Sequence, residues 1–234
     1  MDVAHLSLAR VLGAFMSSWE GAGPASARAR SVRARQLRIK RFIDVVGAIA
    51  ALSLLSPLFI VAAFAVRLDG AGSVIFRQER LGLDGKRFVM VKFRTLRADH
   101  CDPSGLDQVS LSDPRLTRTG RFLRQTSIDE LPQLINVLAG DMSLVGPRPH
   151  VPGMKAAGMP YEELVPNYPA RLSMTPGITG WAQANGLRGP TRDAHLARER
   201  IEHDLHYIEH FSLAFDLRIL GLTIWREFIT GANR

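Results

Sequence analysis

Cysteine is all but absent: Cys101 is the only one in 234 residues. No intrachain disulfide can form, so the chain needs no oxidising compartment, which fits a catalytic domain in the cytoplasm. No Cys/His group has the spacing of a zinc site. A P-loop is missing too: Gly82-Leu83-Asp84-Gly85-Lys86 lacks its spacing and reads as a turn. No Ser-His-Asp arrangement can be specified, and no internal repeat is present. Acidic residues are scarce at the start. Residues 1–41 carry Asp2 and Glu20 against eight Lys/Arg, a surplus of six within a net charge of +8. Such a tail binds polyanions, either anionic lipid head groups or nucleic acid.

The segment after the tail decides between them. Val45 to Val66 is a run of 22 residues without a charge, long enough for a bilayer core at about 1.5 Å per residue. It is too long and too late for a signal peptide. On hydropathy alone the plain reading is a single transmembrane helix. Two features favour a helix that dips in and returns. Both flanks are basic, with Arg38, Lys40 and Arg41 before the run and Arg67, Arg77, Arg80, Lys86 and Arg87 after it, and basic flanks resist translocation. Ser56-Pro57 stands near the middle, where proline removes a donor and bends the helix. The carbonyls freed there need a partner, which the Ser53 or Ser56 hydroxyl can supply. Lys40 and Arg41 fall four and three residues before Asp44, so the three can neutralise one another at the membrane boundary.

The remaining chain reads as mixed α/β, mostly helical. Residues 1–20 are weakly amphipathic, and 21–36 read as a flexible Gly/Ala/Ser/Arg linker. An extended pair spans 74–95 with Asp84-Gly85 as its turn. Residues 97–118 read as loop. A helix is expected to begin near Asp129, with Leu131, Leu134, Ile135 and Leu138 as its apolar stripe and Gly140 as its stop. Residues 142–190 read as loops with short elements. Two further helices are expected over 192–209 and 213–229, the last able to cover a core or lie on a membrane surface.

The candidates for chemistry are the acidic pair Asp129-Glu130 and a scatter of cations. Taken alone, Ser127-Ile128-Asp129-Glu130 reads as a capping box. A helix start also keeps a carboxylate ionised, and an ionised carboxylate can act as a nucleophile toward phosphorus. Lys92, Arg94, Arg124, Arg148 and Arg188 all occur in polar, turn-containing contexts, and Arg148 is stiffened between Pro147 and Pro149. Arginine forks match phosphate oxygens, although any one of these cations taken singly reads as a solvated surface charge.

From Lys40 to Asp216 the chain resembles the monotopic phosphoglycosyl transferases, bacterial sugar transferases that start exopolysaccharide and related glycans. The matching stretches are KRFIDVVG, the Ser-Pro at 56–57, FRQERLGLDGKRFVMVKFRTL, DPRLTRTGRFLRQTSIDELPQLINVLAGDMSLVGPRP, TPGITGWAQANGLRG, and the series Asp204, Tyr207, Ile208, Ser212, Asp216. The resemblance implies a basic tail over 1–37, a re-entrant membrane helix over 38–67 anchored by Lys40, Arg41, Asp44, Ser56 and Pro57, and a catalytic domain over 68–234 with interfacial helices. It implies that Asp129 and Glu130 form a catalytic dyad that holds Mg2+. Asp129 would attack the β-phosphorus of a UDP-sugar, release UMP, and pass the phospho-sugar to undecaprenyl phosphate. Lys92, Arg124, Arg148 and Arg188 would bind phosphate. The NGLRG stretch is similar to members that use UDP-glucose or UDP-galactose. The implied location is the cytoplasmic face of the bacterial inner membrane, among its lipids, with downstream glycosyltransferases as possible partners and no nucleic acid. Larger members carry extra membrane helices and a nucleotide-fold domain ahead of the first motif, so this chain reads as a short form. Two rival classes remain open: a non-catalytic membrane adaptor, and a membrane phosphatase that uses an aspartyl phosphate.

Overall fold

A computed structural model describes residues 24–230 except Cys101 and Pro103. The amphipathic stretch expected over 1–20 lies outside the described residues. The chain divides into two units, Met1–Lys40 and Arg41–Arg234. Helix α1 runs over Pro24–Leu54 and α2 over Ser56–Leu68. The expected linker is therefore helical from Pro24 onward. Its alanines and arginines favour helix, no glycine falls between 24 and 36, and a proline is tolerated in the first turn.

The α1–α2 pair bends by 64° at Leu55. Pro57 has no N–H to offer the carbonyl of Ser53, and the Ser56 hydroxyl donates to that oxygen instead at 2.9 Å. Among the described residues no single helix is long and apolar enough to cross a membrane; the bent pair meets that test only together.

Antiparallel strands β1 (Ile75–Leu81) and β2 (Arg87–Phe93) form the expected hairpin, with Gln78 opposite Met90 and Leu81 opposite Arg87. Asp84 takes the left-handed conformation at its turn, φ 55°, which short polar side chains tolerate. The hairpin sits between the two arms of the bent helix. Ala48, Ala51 and Leu52 pack with Phe88 and Met90, while Phe59, Ala62 and Val66 pack with Phe93. Side chains alternate faces along a strand, so one strand serves both arms. The outward sides of the arms stay bare: Phe42 is 70% exposed, Leu54 81%, Ile60 70% and Phe64 65%.

Arg41 and Asp44, expected to neutralise one another, are turned to other work. Arg41 donates to the carbonyls of Val137 and, at 2.9 Å, Leu138; these lie in the last turn of α4 (Gln133–Ala139), where carbonyls lack helical partners. Asp44 accepts the Leu144 amide at 3.0 Å. Lys40 is buried. Arg94 is also structural. Its guanidinium donates to the carbonyls of Val66, Gly70 and Ala71 at 3.2, 3.0 and 2.6 Å, closing the end of α2.

Helix α3 (Arg118–Gln125) is capped by the Thr117 hydroxyl. The region 142–190 holds short pieces: parallel strands β3 (Ser143–Val145) and β6 (Gly177–Thr179), the small pair β4 (Lys155–Ala156) and β5 (Met159–Pro160), and single-turn helices α5 (Tyr161–Leu164) and α6 (Trp181–Ala184). Glycine is required where β3 meets β6. A Cβ on Gly177 would stand 2.0 Å from the Gly146 nitrogen, and one on Gly180 2.2 Å from the Gly146 oxygen. The two expected C-terminal helices are α7 (Ala194–Glu209) and α8 (Leu213–Ile224), the latter continuing as a wider turn to Thr230. They close over β3 through Tyr207, Ile208, Phe211 and Ile219. The Tyr207 hydroxyl donates to Asp216 at 2.7 Å, satisfying that buried carboxylate.

Candidate active site

The acidic pair does not open an α-helix. Asp129 and Glu130 occupy a single 3-10 turn, Ile128–Glu130, and α4 starts only at Gln133. Pro132 lacks the N–H that would join the two, so the helix-dipole expectation for Asp129 does not apply. The capping box also fails. Ser127 is left-handed at φ 55° and its side chain caps nothing; its hydroxyl donates to Glu227 Oε2 at 3.2 Å. The left-handed turn costs a non-glycine residue about 1 kcal/mol, and it aims the next two carboxylates back into the protein. The expected stripe shifts as well. Leu134 and Val137 face the core, while Ile135 is 54% exposed. Between them Asn136 reaches the edge of β2, donating to Val89 O at 2.8 Å and accepting from Val91 N at 3.1 Å.

Cations arrive from four other places. Lys92 comes from β2, Arg124 from α3, Arg148 from the loop after β3, and Arg188 from the loop after α6. Arg148 grips both oxygens of Glu130. Arg124 is aimed by Thr95 Oγ1 at 2.9 Å and Val109 O at 3.3 Å. Arg188 is ion-paired with Glu227, the same carboxylate that takes the Ser127 hydroxyl. The Asp129 carboxylate makes no hydrogen bond or ion pair among the described residues, although it is only 6% exposed.

The two acids are driven apart electrically. Burial, then the Glu130 charge, pushes the Asp129 carboxyl up to about 6, against the pull of Lys92, Arg124 and Arg148. Burial pushes Glu130 up as well, but Arg148, by charge and hydrogen bond, brings it down to about 2 with help from Lys92 and Arg188. Burial first, and Arg124 next, brings the Lys92 ammonium down to about 7, with Asp129 opposing. One acid is thus clamped and permanently charged; the other is uncommitted and titrates near neutrality. Lys92, Arg124, Arg148 and the dyad therefore form one site, and Arg188 joins it through the field it places on Glu130.

The arrangement suits anionic phosphorus chemistry: an open carboxylate faces an excess of donors that match phosphate oxygens. Among the described residues no three His, Cys, Asp or Glu side chains form a metal cage. Mg2+ does not need one, since it binds through one or two carboxylates, water and substrate phosphates. Asp129 and Glu130 are hard oxygen donors of that kind.

Sequence reasoning gave Arg171 no role and named Asp204 only among the positions that resemble the family. Arg171 donates to Asp204 Oδ2 through Nε at 3.2 Å and Nη2 at 2.8 Å, and also to the main-chain oxygen of Arg148. The signal for Asp204 was present: it falls on the apolar stripe of Ala197, Ile201 and Ile208, an acid where α7 faces the core. It counted Arg80 only as a basic flank and gave Asn136 no role.

Comparison with known proteins gives the family. The family described as bacterial sugar transferase matches residues 35–230. The exopolysaccharide production protein PSS of Rhizobium leguminosarum bv. phaseoli is 49% identical over 195 residues, covering 83% of this chain and 98% of that protein. The UDP-glucose:undecaprenyl-phosphate glucose-1-phosphate transferase of Escherichia coli K12 is 46% identical over 83% of this chain, which spans only 41% of that protein. The enzyme of the same name from Caulobacter vibrioides is 48% identical, with 79% of this chain matched to 68% of its own length.

Proposed function

Because the chain belongs to the bacterial sugar transferase family, we propose that it transfers a hexose 1-phosphate from a UDP-sugar to undecaprenyl phosphate and so initiates an exopolysaccharide or related glycan. The observation that carries the mechanism is the uncommitted, buried Asp129 carboxylate beside a Glu130 held on both oxygens by Arg148. In the first step an Asp129 oxygen bonds to the β-phosphorus of the donor. The bond from that phosphorus to the bridging oxygen breaks, and UMP leaves with the electron pair. In the second step an oxygen of the lipid phosphate attacks the same phosphorus, and Asp129 departs as a free carboxylate. The product is the polyprenyl diphospho-sugar, the substrate for a later glycosyltransferase. No proton transfer to Asp129 is needed, so the residue works wherever it is ionised.

Lys92, Arg124 and Arg148 offset the repulsion between anionic reactants, and Arg188 adds to the field. Glu130 fixes the Arg148 fork. Mg2+, held by Asp129 and Glu130, supplies further neutralisation of the diphosphate when bound. Two matched relatives carry UDP-glucose in their names, and the NGLRG stretch supports UDP-glucose or UDP-galactose here. The bent α1–α2 pair, its basic flanks and its bare outer sides support a re-entrant anchor at the cytoplasmic face of the inner membrane.

The test is a single turnover. Purified protein in detergent or nanodiscs is given UDP-glucose, UDP-galactose, or an N-acetylated UDP-sugar, with Mg2+ and no lipid. Release of up to one UMP per site, and a phospho-hexose on the peptide holding Asp129, is expected with the first two donors. An adduct elsewhere overturns the nucleophile, and preference for the acetamido donor overturns only the sugar. Multiple turnover to water without lipid favours a phosphatase, and no UMP from any donor leaves the adaptor.

A further inference from the structure

Four consecutive carbonyls run through the segment that carries Arg148, and each is taken by a different donor. Pro147 O accepts the Gly177 amide at 3.0 Å, and His150 O accepts the Leu81 amide at 2.9 Å. Between them Arg148 O accepts Arg171 Nη2, and Pro149 O accepts Arg80 Nη1 at 3.0 Å. Two of the four residues are prolines, so the segment cannot donate at those positions and is fixed by what it accepts. The His150 ring is held as well, by the Tyr168 hydroxyl at 3.0 Å, and Tyr168 lies under the Arg171 guanidinium at 5.4 Å.

The Arg171–Asp204 pair is almost wholly enclosed, at 2% and 1% exposure. Stability alone does not call for such a pair. Withdrawing two charges from water is costly, and apolar side chains of similar volume often serve a core as well or better. An apolar side chain has no donor for the Arg148 carbonyl, however. Arg171 can reach both groups because its fork presents several N–H donors in fixed directions. Resting on the proposed phosphoglycosyl transfer, we propose that Arg171 and Arg80 are positioning residues: they hold the main chain on either side of Arg148 so that its guanidinium meets Glu130 and the donor phosphate, with Asp204 orienting Arg171.

A double-mutant cycle separates this from a merely structural role. Arg171→Met with Asp204→Leu replaces the pair by apolar groups and leaves no orphaned charge. Arg80→Lys is the second variant, should the first fail to fold. The apolar pair is expected to lower kcat about tenfold or more while Arg148 is present, and less than about twofold in an Arg148→Ala background. Hydrogen exchange gives a readout that needs no activity. Peptides carrying Leu81 and Gly177, whose amides are held by the segment, should exchange faster, while the rest of α7 keeps its protection. Equal losses in both backgrounds, or wild-type exchange at those peptides, overturns the proposal. If wild-type protein releases no UMP from any UDP-sugar, the transferase reading fails on its own, and the exchange result still decides whether the pair holds the segment.

Discussion

Arg148 closes on both oxygens of Glu130, with Nη1 at 3.2 Å from Oε2, and in doing so leaves the adjacent Asp129 as the one acid of the pair with an open carboxylate. Two neighbouring residues of nearly identical chemistry are thereby given different tasks. The difference comes from which of them a distant arginine reaches, 18 residues along the chain.

Asp129→Asn is predicted to fold and to lose activity by several orders of magnitude. Asn fills the same space, and no hydrogen bond of Asp129 is lost. The raised carboxyl also means that ionised Asp129 disfavours the folded state above the unfolded value near 4, so the melting temperature at pH 8 should equal or exceed that of the native chain. UMP release should vanish with the nucleophile. Near-normal turnover by this variant would falsify the assignment.

Glu130→Gln should also be severely impaired, by about a hundredfold or more, the scale seen when a positioned charge partner is removed. The loss here is of the Arg148 clamp. Steady-state kinetics should show it in kcat/KM, and Arg148→Lys, which cannot grip both oxygens, should show a comparable loss.

A narrow pH optimum is expected. Asp129 must be ionised, so kcat/KM should rise with pH through about 6. Lys92 must keep its proton, so kcat/KM should fall above about 7. Bound diphosphate favours the charged ammonium, which moves the alkaline limb of kcat to higher pH than that of kcat/KM. Lys92→Arg should abolish the alkaline limb, since guanidinium stays charged throughout. A limb that survives this substitution belongs to another group.

Asn136→Ala should cost about 1–3 kcal/mol, since it strips two part-buried main-chain partners from the edge of β2. A fall in melting temperature, together with faster hydrogen exchange at Val91, would record it.

Topology can be read by labelling. With Cys101 replaced, cysteines introduced at Arg38 and Asp69, both exposed, should react from the cytoplasmic side in intact cells. Labelling from opposite sides rules out the hairpin. Pro57→Leu with Ser56→Ala restores an unbroken ladder at the bend and should push some molecules toward a true span.

Much of this was legible in the chain itself. The hairpin over 75–93 announced itself through Asp84-Gly85 between apolar runs, and the bend through Ser-Pro within an uncharged stretch. The acidic pair and its cations were singled out only by the stretches that resemble the family; taken alone they read as a capping box and as surface charges. Arg171, Arg80 and Asn136 were not singled out, because each acts on a main-chain atom far away in sequence, and a carbonyl carries no residue identity to pair with. Arg94 and Arg148 look alike as residues; only the fold reveals that one closes the end of a helix and the other meets an acid. The failed capping box has the same origin. Ser127 has the right identity in the wrong backbone conformation.

Strand β2 carries Met90 into one arm of the bent helix and Phe93 into the other, with Lys92 between them. The candidate site and the bent pair are therefore separated by no linker at all. With the bent pair as the proposed re-entrant anchor, the altitude of the Lys92 ammonium above the hydrocarbon is set within four residues of one strand, Met90 to Phe93, as with a keel rather than a mooring line. On that proposal, swells in membrane thickness are absorbed by lipid around the arms, and the proposed polyprenyl phosphate rises to one set height to react.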